Sequence, residues 1–191
     1  MTGKVNDGEQ VTVAPAWRAR SCETYHDKHL VRVDPATGAR VPLADDPRYA
    51  DLEPAVSPDG QQIAFVRGWA QVDGQPQGPI AADLHPNVAT IASRRIWLVA
   101  PDGSNSHPLT NPQDWTDAAP AWTPEGHWVV FVRWRPPRLQ QPAAAELWAA
   151  HPDGSGARRL ATGLDLPQGF NNGFGLYGTL GWQRLFAVAP R

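Results

Sequence analysis

The chain has 191 residues, 41% of them hydrophobic, with 17 basic and 19 acidic side chains and a formal net charge of −2. That size suits one domain with a core of its own. The charge excludes the basic excess that drives nucleic-acid binding, no apolar run approaches the roughly 20 residues that span a bilayer, and a lone cysteine, Cys22, leaves no internal disulfide or CxxC-type metal site.

In chain order, the opening MTGKVNDGEQVTVAP is polar and lacks the apolar core of a signal peptide, so none is expected. Pro15-Ala-Trp17 begins a motif that returns 39 residues later at Pro54. Leu30-Val-Arg-Val-Asp-Pro-Ala-Thr-Gly38 reads as a strand and turn, followed by the short strand Val41–Leu43. Ala44–Glu53 is a connection carrying Tyr49 and Asp51. Pro54-Ala-Val-Ser-Pro-Asp-Gly60 then leads through a tight turn into the alternating strand Gln62–Arg67. Pro presets φ at one central turn position, Asp suits the next, and Gly takes the position where φ is positive. Pro58, Asp59 and Gly60 are therefore read as turn residues.

Gly68–Arg94 is a long connection containing Trp69. It ends at Ile96-Trp-Leu-Val-Ala-Pro-Asp-Gly-Ser104, a strand with Asp102 and Gly103 in its turn, followed by a short strand ending at Leu109. After the connection Asn111–Ala119, with Trp115 and Asp117, the pattern starts again. Pro120-Ala-Trp-Thr-Pro-Glu-Gly126 places Pro124, Glu125 and Gly126 in the turn, and Trp128–Arg133 is the strand behind it. A second long connection, Trp134–Ala145, carries Trp134 and Arg135. Leu147-Trp-Ala-Ala-His-Pro-Asp-Gly-Ser155 repeats the strand-and-turn motif, with Asp153 and Gly154 in the turn, and Arg158–Leu160 closes the unit. The strongest helical periodicity, Pro142–Ala150, is short. Gly163–Thr179 holds the run Gly169-Phe-Asn-Asn-Gly-Phe-Gly-Leu-Tyr177, including Phe174 and Tyr177, and Gly181–Val188 resembles the first two strands with the turn deleted.

With 20 prolines and 17 glycines punctuating short strands, the fold class is all-β. Each unit reads as four antiparallel strands joined by stereotyped turns, which is a β-propeller blade. The units fall at about 11–53, 54–119 and 120–179, with a half unit at 180–191, all within a single domain 1–191. That gives three and a half to four blades. At about 40 residues per blade the chain is short of a common closed ring. An incomplete propeller, or one completed by a second copy, is expected.

The motifs Pro120–Gly126 and Ile96–Ser104 resemble the TolB-like, WD-like propeller repeat, which also occurs in prolyl oligopeptidase-like and tricorn-like proteins. The resemblance implies a propeller fold and, by analogy with TolB, a noncatalytic module binding a protein or peptide, in the periplasm or outside the cytoplasm. A cytoplasmic location follows if the analogy fails. The alternatives are the propeller portion of a peptidase or of a metal-dependent polysaccharide lyase, and a structural unit that completes a ring by self-association.

Strand alternation puts the stereotyped turns at one end of the sheets and the long connections at the other. Long loops on a rigid scaffold are where binding resides, so the expected contact face carries Tyr49, Trp69, Trp115, Trp134 and Arg135, with Phe174 and Tyr177. Asp51 and Asp117 stand at matching positions and read either as a ring of carboxylates or as local turn holders. No catalytic residue, metal ligand or cofactor site is expected. The chain contains no HExxH, no Gly-x-Ser-x-Gly and no phosphate-binding Gly-rich loop leading into a helix.

Overall fold

The computed structural model describes residues 2–4, 10–15, 28–72, 75–79, 86–111, 115–135 and 145–164. They form three four-stranded antiparallel sheets and a small hairpin. The first sheet is β1 (Thr2–Lys4), β2 (Gln10–Pro15), β3 (Lys28–Val33) and β4 (Arg40–Ala44), in that order. The second runs β5 (Tyr49–Val56), β6 (Ile63–Trp69), β9 (Arg95–Val99) and β10 (His107–Pro108), with the hairpin β7 (Gln71–Val72) and β8 (Gln75–Pro76) and helix α1 (Pro86–Ala92) between β6 and β9. The third is β11 (Thr116–Trp122), β12 (Val129–Trp134), β13 (Ala145–Ala150) and β14 (Arg158–Leu164).

Four strands in sequence order, three times over, is the meander of a propeller blade. The second blade shows how the sheets stack. Side chains alternate between the two faces of a strand. Ile63, Phe65 and Val99, each at most 1% exposed, pack with Leu30 and Leu43 of the first sheet. Their neighbours Ala64, Val66, Ile96 and Leu98, all at 0%, pack with Ala118, Val129 and Phe131 of the third. A side chain such as Phe65 contributes about 1.5–3 kcal/mol by leaving water. A register slip of one residue would exchange the two neighbours.

The turn chemistry is as read from the sequence. Gly60, Gly103, Gly126 and Gly154 have φ of 70°, 86°, 71° and 81°. Gly60 N–H donates to Ser57 O at 2.9 Å and Gly126 N–H to Thr123 O at 2.8 Å. Asp102 and Asp153 each accept the N–H two residues on, at 2.9 and 2.8 Å.

Four features differ from expectation. The first sheet begins at Thr2 and Pro15 ends its second strand, so Pro15-Ala-Trp17 does not open strand one. The repeat of three residues there was too short to fix a register. The sheets divide the chain between Ala44 and Tyr49 and between Pro108 and Thr116, earlier than the boundaries at 53/54 and 119/120, because Tyr49 and Thr116 already pair with the next strand. The strongest helical periodicity, Pro142–Ala150, overlaps strand β13, which begins at Ala145, ahead of the strand motif at Leu147, where pairing with β12 from Trp134 to Val129 overrides helix propensity. Helix α1 lies inside the connection 68–94. Its Ala89 is buried and its Ile91 packs on the core between the second and third sheets. Cys22, Phe174, Tyr177 and the half unit 180–191 lie outside the described residues.

Candidate functional site

Strands β5 and β11 start, and β6 and β12 end, at the same end of their sheets, because each pair is antiparallel. The connections β6–β9 and β4–β5 emerge there, and the Pro-Asp-Gly-type turns lie at the opposite end.

The roots of this loop-bearing end are built twice from one module. Asp51 on β5 stands opposite Arg67 on β6, and Asp117 on β11 opposite Arg133 on β12. Each Arg donates two bonds to its carboxylate, Nε at 2.7 Å and Nη2 at 3.0 Å. Both carboxylates are 0% exposed. Each guanidinium also lies against a Trp and a Phe. Arg67 is 4.9 Å from the Trp97 ring and 5.3 Å from Phe65, and Arg133 is 4.7 Å from Trp148 and 5.2 Å from Phe131. The fork of Arg fits a carboxylate edge-on while its flat face stacks on a ring. The two carboxylates therefore face their own arginines, and His29 Nδ1 lies 3.9 Å from Asp51.

A backbone irregularity sets this geometry. Glu53 and Ala119 precede Pro54 and Pro120 and have φ of 53° and 52°. The ladder shifts at both places, between Leu52 and Ala55 and between Ala118 and Ala121. These are β-bulges, and a bulge leaves an amide outside the ladder. Glu53 reaches across to the next sheet and accepts the Ala119 N–H at 2.7 Å. Burial pushes the Glu53 carboxyl up, against the Ala119 N–H, Arg94 and Lys28, which favour its charged form. Trp122 Nε1 donates to Ala55 O at 3.0 Å, a second bond between the same two sheets.

Above these roots the two blades diverge. On the second, Tyr49 stacks on Trp69 at 4.7 Å and 18°, with Trp97 at 6.3 Å below. Exposed Arg48 lies 5.6 Å from the Tyr49 ring and is held by Asp46, with Nη2 at 2.6 Å and Nε at 3.0 Å from its two oxygens. Hydrogen bonds from Arg48 hold Asp46 at about 2, below the ordinary 3.8. Gly78 closes on the other ring: a Cβ there would stand 2.0 Å from the Trp69 indole. On the third blade Trp115 carries exposed Arg135, 4.8 Å from its ring. Trp134 is buried and belongs to the core, at 6% exposed. Its counterpart in the second blade is Gly68, where an added Cβ would stand about 3 Å from Ser93 and Arg94.

The structure thus brings Tyr49, Trp69, Trp115 and Arg135 to one end and places Asp51, Asp117 and Trp134 beneath it. Sequence reasoning missed Arg48, Gly78 and the Glu53 clasp. His127 and His151 flank the turns of the third sheet. At the turn end of the third sheet His151 stacks on Trp128 at 3.6 Å, Arg158 covers Trp128 at 4.4 Å, and His151 Nδ1–H donates to His127 O at 2.9 Å. The signal was in the repeat: the second blade has Gln62 and Ala100 where the third has Trp128 and His151. Among the described residues no three His, Cys, Asp or Glu side chains stand together as a metal site, and no helix is long and apolar enough to cross a membrane.

No protein-family model matches the chain, and no curated protein matches it in sequence. Solved structures do. One is described as TolB from Agrobacterium tumefaciens, with TM-score 0.52, 21% identity, and 82% of this chain covered against 48% of that one. A puromycin-hydrolysing peptidase from Mycobacterium tuberculosis matches with TM-score 0.55 and 23% identity, covering 86% of this chain and 24% of its own. Dipeptidyl peptidase 4 from Porphyromonas gingivalis matches with TM-score 0.55 and 14% identity, covering 86% and 26%. The chain spans about half the length of the TolB structure and about a quarter of each peptidase. These likenesses show the fold, a TolB-like propeller.

Proposed function

We propose that the chain is a noncatalytic propeller module that binds a protein or peptide partner across the loop-bearing end of its sheets. The observation that carries this reading is the contrast between root and rim. Two identical, buried Asp–Arg–aromatic modules make the roots rigid, and the rim above them differs from blade to blade. The rim presents arginines laid on aromatic rings, Arg48 on Tyr49 and Arg135 on Trp115. Arg and large aromatics are the residue types that dominate binding energy at interface centres. The buried carboxylates hold the scaffold and take no part in contact.

Peptides selected from a displayed random library on the immobilised chain test this. Trp115→Ala and Arg48→Ala are expected to weaken the selected peptides about tenfold or more, with circular dichroism unchanged. Selected peptides that bind both variants like the wild type refute it. Sedimentation of the same protein checks the further expectation that the ring is completed by a second copy. A monomer at micromolar concentration removes that part alone.

A further inference from the structure

Three arginines that lie on aromatic rings each hold a carboxylate at their edge. Arg67 lies 4.9 Å from the Trp97 ring and takes Asp51, and Arg133 lies 4.7 Å from Trp148 and takes Asp117, each through Nε and Nη2. Arg48 lies 5.6 Å from Tyr49, and its Nε and Nη2 both go to Asp46. The physical reason is shared. A ring holds the flat face of the guanidinium and leaves its N–H edge turned toward an acceptor.

Arg135 has the same seat on Trp115, 4.8 Å from the ring. Thr116 stands opposite Trp134 and Asp117 opposite Arg133. Trp115 and Arg135 are therefore the next rung outward, on the face that carries Asp117 and Arg133. Asp117 already accepts both bonds of Arg133. Arg135 is exposed, and among the described residues no carboxylate pairs with it. In the adjoining stretches 112–114 and 136–144 the sequence carries one acid, Asp114. The same rung of the second blade is Tyr49 and Trp69, ring on ring, with no cation of its own. Arg158 also lies on a ring, but at the turn end, where it shares Trp128 with His151.

We propose that Arg135, seated on Trp115, takes the side-chain carboxylate of an aspartate or glutamate in the partner and so sets the partner's specificity. The assignment rests on the binding reading of the loop-bearing end and adds to it the chemistry of the partner.

The probe is a library of random peptides displayed as fusions through their C-termini, so that side chains supply any carboxylate. It is selected on the full chain and, separately, on Arg135→Leu. Peptides selected on the wild type are expected to share Asp or Glu at one position, and those selected on Arg135→Leu are expected to lack it there. A wild-type-selected peptide is then synthesised with that acid and with the matching amide. The amide peptide is expected to bind the wild type about tenfold more weakly, the scale of a hydrogen bond to a charged group. Both peptides are expected to bind Arg135→Leu alike. Arg135→Lys keeps the charge without the two-pronged edge and is expected to recover only part of the difference. Selected peptides without an acid, or with an acid that matters equally in wild type and Arg135→Leu, overturn the assignment and leave the binding reading standing. That is the result expected if Asp114 holds Arg135 instead. A library that yields no binding peptide overturns both.

Discussion

Removing the Asp51 carboxylate separates a buried ion pair from an open carboxylate ring. In Asp51→Ala the Arg67 guanidinium loses both carboxylate bonds, at 2.7 and 3.0 Å, while its side chain stays 8% exposed. Stranding one partner of a buried pair costs about 3–5 kcal/mol. Arg67 keeps its contacts with Tyr49, Trp97 and Phe65, so the lower end, about 3 kcal/mol, is expected. Total stability of such a domain is about 5–15 kcal/mol, which makes this a large loss. Urea unfolding followed by tryptophan fluorescence measures it. The double variant Asp51→Leu with Arg67→Met should recover to within about 1 kcal/mol of wild type, because no stranded charge remains. Asp117→Ala should behave as Asp51→Ala does, since Asp117 and Arg133 repeat the geometry. A loss below about 1 kcal/mol in the single variant would refute the reasoning: it would mean a carboxylate open to solvent and available to a ligand.

Further outcomes are expected at three positions. Glu53→Ala leaves the buried Ala119 N–H without its acceptor and should cost about 1–3 kcal/mol in the same unfolding assay. Because burial raises the Glu53 pKa, its contribution is fully present at low pH and is lost as pH rises from the ordinary 4.5 through the folded value; Glu53→Gln should remove that slope of stability with pH. Asp46 should titrate at about 2 by carbon-detected NMR, so the order it gives Arg48 persists above 3.8 and is lost as pH falls through about 2; a midpoint near 3.8 would show that the two side chains do not pair in solution. Gly78→Ala forces the loop off the Trp69 indole and should make tryptophan fluorescence more accessible to acrylamide, and unchanged quenching would contradict the packing described.

Much of the fold could be read because its determinants are local. Ser-Pro-Asp-Gly and Pro-Asp-Gly-Ser fix their turns within four residues, and strands such as Ile63–Trp69 follow from what the turn must join. The Asp–Arg modules were half legible. Asp51 and Asp117 were seen to match, and Arg67 and Arg133 end matching strands. Counting an unbroken ladder outward from Val56 opposite Ile63 sets Asp51 against Gly68, however, and only the bulge at Glu53 brings it to Arg67. A positive φ at a residue that is neither Gly nor Asn leaves no compositional trace. Helix α1 starts at a proline, a fitting first helical residue, but its seven residues are too few to show a period beside the strand repeats. Strand β13 is legible from Leu147 in its repeat of the strand-and-turn motif, but its start at Ala145 is not, since Ala and Glu favour helices until a neighbouring strand claims them.

The central claim is that partners meet the loop-bearing end and leave the turn end free. Hydrogen–deuterium exchange of the chain with a library-selected peptide bound tests it most directly. Slowed exchange confined to the connections around residues 45–49, 69–79 and 115–116 is the expected result. Slowed exchange at the turns 57–62 and 151–157, with those connections unchanged, would contradict it.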